Sequence, residues 1–226
     1  MKKIYQRSFP DINLLDENTT IVEKEFDGYI YLSSLGQFFR PDINSFENLS
    51  SSYLVDDKTL TQTLKNKIKF NKKAICGISW KSTNTKLGSQ KNLTLEEMIS
   101  IFNLDINFVN LQYGDINFEL DNIKNNFGIQ ILNLDTLDLF NDIDGLASLI
   151  DACDLIITSS NVTAHIAGAI GKKTYLIAPF GLGKIWYWDQ ADGQNLWYPS
   201  VHVINQDTPE NIDLPLQKVL KFIGGE

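Results

Sequence analysis

The residues that most restrict how this chain can fold are Asp154-Leu-Ile-Ile-Thr-Ser-Ser-Asn-Val-Thr-Ala-His-Ile-Ala-Gly-Ala-Ile-Gly171. Leu155 to Ile157 is a short apolar, mostly β-branched run, the pattern of a strand covered on both faces. Ser159, Ser160 and Asn161 supply N-cap side chains, which hold the orphan amides at a helix start. Ala164, Ala167, Gly168 and Ala169 keep the helix that follows thin, and Gly171 stops it. Small hydroxyl residues opening a helix at the carboxyl end of a parallel strand make a ready anion site. Two readings stand side by side: a pocket for a phosphate or diphosphate, or an ordinary βα turn kept small by tight packing.

The rest of the chain repeats the strand-then-helix alternation. Strands are expected at Ala74 to Ser79, Asn107 to Tyr113, Ile129 to Leu134, Lys172 to Ala178 and His202 to Asn205. Helices are expected at Leu93 to Phe102, with Thr94 and Glu97 at capping-box spacing, and at Phe118 to Asn126, ended by Gly128. A further helix, Asp144 to Cys153 with Asp144 as its cap, leads into the strand at 154. The last, Pro209 to Ile223, is expected to break near Pro215. This alternation predicts an α/β fold, a Rossmann-like parallel sheet with helices on both faces. Residues 1–71 carry less pattern: one strand at Tyr29 to Ser33, a loop-like stretch from Gln37 to Ser52, and a short helix at Thr59 to Ile68. One strand and one helix cannot close a core, so this region reads as the tail of a domain.

The 226 residues suffice for one large domain or a domain with an appendage, and 43% hydrophobic content is that of a folded chain. A net charge of −8 without a basic stripe argues against a nucleic-acid partner. No apolar run reaches membrane-spanning length and the N-terminus is not a signal peptide, so a cytoplasmic location is expected. The two cysteines, Cys76 and Cys153, read as buried small hydrophobes rather than metal ligands or a disulfide.

Several residues carry candidate chemistry. Lys81, in Gly77-Ile-Ser-Trp-Lys-Ser82, follows a strand and enters the same crevice as the 159–165 turn, where an ammonium neutralises a diphosphate; the alternative is a solvent-facing loop lysine. His165 sits in the first helical turn, where the dipole favours the neutral imidazole; it donates to a ligand oxygen or bonds a neighbouring carbonyl. His202 reads as structural. Leu111-Gln-Tyr-Gly114 ends a strand with groups that border a base or simply turn the chain. Trp186-Tyr-Trp188 and Trp197-Tyr-Pro199 line a sugar pocket or pin a long loop. No Gly-x-Gly-x-x-Gly, phosphate-binding P-loop or metal cluster is present.

Taken in order, Gly77 to Ser82, Leu111 to Gly114, Asn141 to Asp144, Leu146 to Ile150, Asp154 to Ile157, Thr163-Ala-His-Ile-Ala-Gly-Ala-Ile-Gly171 and Trp197 to Ser200 resemble glycosyltransferase family 9, the heptosyltransferase-like enzymes. The resemblance covers the C-terminal half, over about 72–206, and is greatest to bacterial members in which this half follows tetratricopeptide repeats. It implies a GT-B architecture of two Rossmann-like halves. Residues 1–71 would be a truncated N-terminal half, 72–207 the nucleotide-sugar-binding domain and 208–226 a C-terminal helical segment. It implies a nucleotide-diphosphate-sugar donor, no metal or other cofactor, and a glycan, lipid-linked or protein acceptor. The donor would be held by Trp80, Lys81 and Ser82, by Gln112 and Tyr113 at the base, by Asp142, and by Ser160, Asn161, Thr163, Ala164 and His165. Two departures stand out. The family's Asp five residues before the histidine is Ser160 here, and the front of the N-terminal half, home of the usual base, lies outside the match. A catalytically inactive nucleotide- or glycan-binding module is the alternative, and a partner chain or oligomer completing the missing half is a further expectation.

Overall fold

The computed structural model describes residues 1–16, 18–20, 22, 26–47, 50–69, 71–82, 91–181, 184–191, 194–208 and 211–225. Its strands are β1 (Ile75–Ser79), β2 (Asn107–Asn110), β3 (Ile131–Leu132), β4 (Leu155–Ser159), β5 (Thr174–Ala178), β6 (Gln190–Ala191), β7 (Gln194–Asn195) and β8 (Val201–Asn205). Its helices are α1 (Lys2–Ser8), α2 (Gly36–Phe39), α3 (Lys58–Ile68), α4 (Asn117–Phe127), α5 (Ile143–Ala152), α6 (Val162–Ala169) and α7 (Asp213–Gly224). Six strands pair in parallel in the order β3-β2-β1-β4-β5-β8, and β6 and β7 form a separate antiparallel pair.

Every residue of β1 and β5 is buried, because helices cover both faces of the sheet. On one face Ile4 of α1, Leu64 and Ile68 of α3, and Leu146 and Ile150 of α5 share a core with Val109 and Ile156. On the other, Met98, Ile101, Ile123 of α4, and Leu216 and Val219 of α7 pack on Ile78 and Ile157. The strand order reverses between β1 and β4, and the crevice outside their carboxyl ends is the place where such sheets hold ligands. Cys76 and Cys153 are buried and free, as their apolar surroundings imply. Among the described residues no helix is long and apolar enough to cross a membrane.

Five local expectations are corrected. Tyr29 to Ser33 is not a strand: it runs into a 3-10 turn at Leu32–Ser34, with Tyr29 92% exposed, and among the described residues it pairs with no strand. Leu93 to Phe102 is not an α-helix. The Thr94–Glu97 capping box forms, with Thr94 N donating to Glu97 Oε2 at 2.7 Å and Glu97 N to Thr94 Oγ1 at 3.2 Å, but turns and a 3-10 segment (Ile99–Asn103) follow. Leu95, Met98 and Ile101 are all buried, and a three-residue spacing falls on one side of a 3-10 turn while drifting around an α-helix. Asp142, not Asp144, caps α5, accepting from Gly145 N at 2.9 Å. The strands at Asn107 to Tyr113 and Ile129 to Leu134 are shorter than expected. Pro215 does not break α7, because it lies in the first turn, where its missing N–H has no intrahelical partner; Pro209, the expected start, lies outside the described residues.

Asp144 is released for another task. Arg7 of α1 donates to both its carboxylate oxygens, at 2.8 and 3.0 Å, and to Val55 O at 3.0 Å. These bonds tie the N-terminal helix to α5 and hold the Asp144 carboxyl below its ordinary pKa. A depressed carboxylate pKa contributes stability above about pH 4 that is lost as pH falls through the lower folded value. Arg7→Ala is therefore expected to lower stability by about 1–3 kcal/mol at pH 7, and by less at pH 3. Urea denaturation at the two pH values measures this; equal losses at both would remove the ion pair as the cause.

Candidate functional site

Two buried carboxamides shape the crevice. Gln112, just past β2, accepts through Oε1 from Ser79 Oγ at 3.0 Å, Trp80 N at 3.0 Å and Lys81 N at 2.9 Å. Asn161 caps α6: its Oδ1 accepts from Thr163 N at 3.0 Å and Ala164 N at 3.4 Å. Its Nδ2 donates to Ser79 Oγ at 2.8 Å and Lys81 O at 3.3 Å. The exit of β1 is thereby fixed from both neighbours, β2 and β4, which positions every group around it. Gln112 is 1% exposed and also donates to Tyr113 O at 3.1 Å, so both ends of its amide are engaged within the protein. Gln112 and Tyr113 nevertheless line a hollow of about 250 Å³ at the carboxyl ends of β2 and β3, walled by Asn110, Asn133, Asp138 and Phe140.

The ammonium of Lys81 turns away from the start of α6. It pairs with Glu119 Oε2 on α4, whose Oε1 accepts from Trp80 Nε1 at 3.3 Å. Trp80 is fully buried, so both side chains serve the join between β1 and α4. Ser82 N donates to Asn92 Oδ1 at 2.7 Å and Leu93 N to Trp80 O at 2.8 Å, which brings the chain back beside the β1 exit. The residue carried in by that return is Lys91. It is only 9% exposed, its pKa is lowered by burial, and among the described residues no acidic neighbour acts to raise it. Its charge is felt by His165. Sequence reading missed it: Lys91 lies in a polar run before Leu93, and nothing in the local pattern separates it from a surface lysine. Only the return of 91–93 to Trp80 buries it.

His165 stacks on Trp188, with ring centroids 4.5 Å apart and planes 24° apart, and its Nδ1 lies 3.1 Å from the Tyr198 hydroxyl. Trp188, fully buried, donates through Nε1 to Ser160 Oγ at 2.8 Å, so one indole orients both the imidazole and the serine hydroxyl. Burial, and then the Lys91 charge, lower the His165 pKa to about 4. The neutral ring read from the helix start is thus present, chiefly through desolvation. Its protonation should be seen by NMR with a midpoint near 4 and not near 6.5. A histidine buried neutral withdraws stability as pH falls from the unfolded value near 6.5 toward 4. A midpoint unmoved by Lys91→Ala would exclude that lysine as a neighbour.

Thr163 and Ala164 lie in the first turn of α6, both fully buried, and Thr163 Oγ1 has no hydrogen-bond partner among the described residues. Asp142 caps α5, with one carboxylate oxygen on Gly145 N. The thinness of α6 has its cause in Tyr198: a Cβ on Gly168 would fall 2.4 Å from the Tyr198 ring. Gly168→Ala should therefore displace the Tyr198–His165 pair and cost about 1–3 kcal/mol, which thermal unfolding and the His165 resonance would report. His202 stacks between Tyr175 and Phe222, away from the crevice. Among the described residues no group of three or more His, Cys, Asp or Glu could hold a metal ion.

No protein-family model matches the chain. Among solved structures, E. coli ADP-heptose lps heptosyltransferase II is similar at 16% identity and TM-score 0.53, over 76% of this chain and 52% of that one. A family 9 glycosyl transferase from Veillonella parvula is similar at 12% identity and TM-score 0.49, over 75% of this chain and 46% of that one. Among curated proteins, protein FlbA of Caulobacter vibrioides is 27% identical over 223 residues, 88% of this chain and 35% of that protein. The chain spans about half the length of these solved structures and about a third of the curated relative. Six parallel strands in this order, with helices on both faces, match one Rossmann-like half of the GT-B glycosyltransferase fold. Within that class the fold is heptosyltransferase-like, as the sequence resemblance implies.

Proposed function

We propose that the crevice between the β1 exit and the start of α6 binds the diphosphate of a nucleotide sugar, and that the chain acts in glycosyl transfer to a glycan, lipid-linked or protein acceptor. The observation that carries this reading is Lys91, a buried lysine with no carboxylate acting on it among the described residues, whose charge acts on His165 in the first turn of α6. A buried cation without a counter-charge is unfavourable, and an anion supplied by a ligand removes the penalty. The helix start adds its dipole, and Ser160 Oγ and the neutral His165 add polar contacts. The solved structure of similar fold is named for ADP-heptose, a donor of this class.

In the reaction proposed, the bond between the sugar's anomeric carbon and the diphosphate oxygen breaks, the acceptor oxygen bonds to that carbon, and the acceptor's hydroxyl proton passes to a base supplied by a second half or partner chain. Negative charge grows on the departing diphosphate. The α6 start is held beforehand by Asn161, so together with the Lys91 ammonium it stabilises that charge with little reorganisation. The hollow beside Gln112 and Tyr113 receives the nucleoside, with the Tyr113 and Phe140 rings, 5.9 Å apart, at its rim. Isothermal titration calorimetry with ADP, UDP, ADP-glucose and UDP-N-acetylglucosamine tests the assignment. Binding of at least one is expected, and silence with all four would defeat it.

One observation favours a second reading, a binding module that does not transfer. Among the described residues no aspartate or glutamate acts on His165, and a pKa lowered to about 4 makes its imidazole a weak base toward an acceptor hydroxyl. A second half or partner chain supplying the base would reconcile the two. Donor turnover separates them: binding without hydrolysis or transfer, alone and with candidate partners, supports the module.

A further inference from the structure

We infer that the exposed ring of Trp186, backed by the half-buried Tyr187, Trp197 and Phe46, is a subsite for a pyranose ring. It rests on the proposed sugar chemistry of the neighbouring crevice, and it names where a sugar is gripped.

The described residues between 179 and 200 are held in place without Trp186, and Tyr187 and Trp197 are themselves half-buried against the cluster of Ala164, Trp188 and Tyr198. Trp188 is fully buried against Ser160 and His165, and Tyr198 is 5% exposed beneath α6. Asn195 ties the loop together, donating through Nδ2 to Tyr187 O at 2.8 Å and Asp189 O at 3.2 Å, while its Oδ1 accepts from Trp197 N and Tyr198 N. Trp186 is therefore not needed as an anchor, yet it stands 57% exposed in the same 3-10 turn that buries Trp188. Exposure of an indole costs free energy, about 25 cal/mol for each Å² of apolar area left in water.

The rings are also ordered relative to one another. Trp186 stacks on Tyr187 with centroids 4.0 Å apart and planes 27° apart, and Trp197 meets Trp186 edge-on at 5.1 Å and 78°. Phe46, brought in from the N-terminal region, meets Trp197 edge-on at 4.8 Å. Each ring thus holds its neighbour, giving a rigid face that needs little ordering on binding. Tyr187 also lies edge-on to His165 at 5.3 Å, so the surface is continuous with the crevice. A pyranose fits this surface: its axial C–H bonds present an apolar face to an indole, while its hydroxyls stay at the rim. The rim is polar, with exposed Lys184 and Asp189 flanking the turn. The ring belongs to the donor sugar or to the acceptor glycan, which share this chemistry.

Saturation-transfer NMR on the full chain, with methyl glucopyranosides and methyl mannopyranosides as free-sugar probes and ADP-glucose and UDP-N-acetylglucosamine as linked ones, tests the inference. Sugar signals are expected with at least one probe. They should fall about five- to tenfold in Trp186→Ala and in Trp197→Ala, and be largely retained in Trp186→Phe. Effects confined to the linked probes assign the donor sugar; effects on the free glycosides assign the acceptor. ADP and UDP alone should bind these variants as they bind wild type. Sugar signals that are absent throughout, or unchanged in both alanine variants, overturn the subsite even if ADP or UDP binds. Loss of ADP and UDP binding in wild type with methyl glycoside signals intact overturns the diphosphate reading instead. A change of oligomeric state by light scattering in Trp186→Ala, without a change in sugar signals, would make the surface a protein contact and also overturn it.

Discussion

Lys91→Ala is expected to weaken binding of a nucleoside diphosphate by about 10- to 100-fold, whereas Lys81→Ala leaves it within about twofold. The first figure corresponds to a charge-assisted hydrogen bond of about 1.5–3 kcal/mol. The second follows from the partner Lys81 already has: its ammonium pairs with Glu119, and that pair joins β1 to α4. Lys81→Ala should show instead as a loss of stability of about 1 kcal/mol, since the pair is only partly shielded from water. Lys91→Ala should hold or raise stability in the absence of ligand, because it removes a buried, unpaired charge. The two lysines thus differ in the size of the effect on calorimetric affinity and in the sign of the effect on the urea midpoint. If affinity instead followed Lys81, the cation of the site would be that lysine, and Lys91 would be a bystander.

The second large effect is expected at Asn161. Asn161→Ala should cost about 2–4 kcal/mol, summing a lost helix cap of about 1 kcal/mol and two buried bonds on Ser79 and Lys81. Asn161→Asp separates these parts. A carboxylate still accepts from Thr163 N and Ala164 N, so the cap survives, but it cannot donate to Ser79 Oγ or Lys81 O. Stability should fall between wild type and Asn161→Ala. Nucleotide affinity should fall further than stability, because a negative charge is placed where phosphate is proposed to sit. Urea denaturation and calorimetry on the pair decide it. An aspartate variant that binds nucleotide as tightly as wild type would move the phosphate away from the α6 start.

Elements whose identity depends on short-range pattern were legible in the sequence. The run Leu155 to Ile157, the cap at Asn161 and the stop at Gly171 are satisfied within a few residues of chain, and β4 and α6 form where the pattern puts them. Gly128, in the left-handed region, likewise ends α4. Tyr29 to Ser33 failed as a strand because an edge to pair with is not a local property. The choice between α and 3-10 at Leu95 to Ile101 went to the core those residues fill.

At the candidate site the sequence marked the two strand ends and the helix start correctly as neighbours in a parallel sheet. It could not say which side chains are spent on holding the protein together. Gln112 and Asn161 carry groups that suit a ligand, yet their partners come from residues 30 and 80 positions away. Trp188 and Tyr198 set the His165 ring from a loop some 20–30 residues beyond it.

What the chain's own order of residues determined is the alternation of strand and helix, the small-residue turn at 159–161 and hence a parallel sheet with an open crevice. Each of these follows from hydrophobic period, capping and glycine conformation, all of which act over a few residues. Which lysine stands without a carboxylate partner among the described residues was decided by tertiary structure alone. Glu119 reaches Lys81 only once α4 packs beside β1, and Lys91 is buried only once residues 91–93 fold back onto Trp80. Charge pairing and burial are sums over neighbours in space, so no window of sequence contains them.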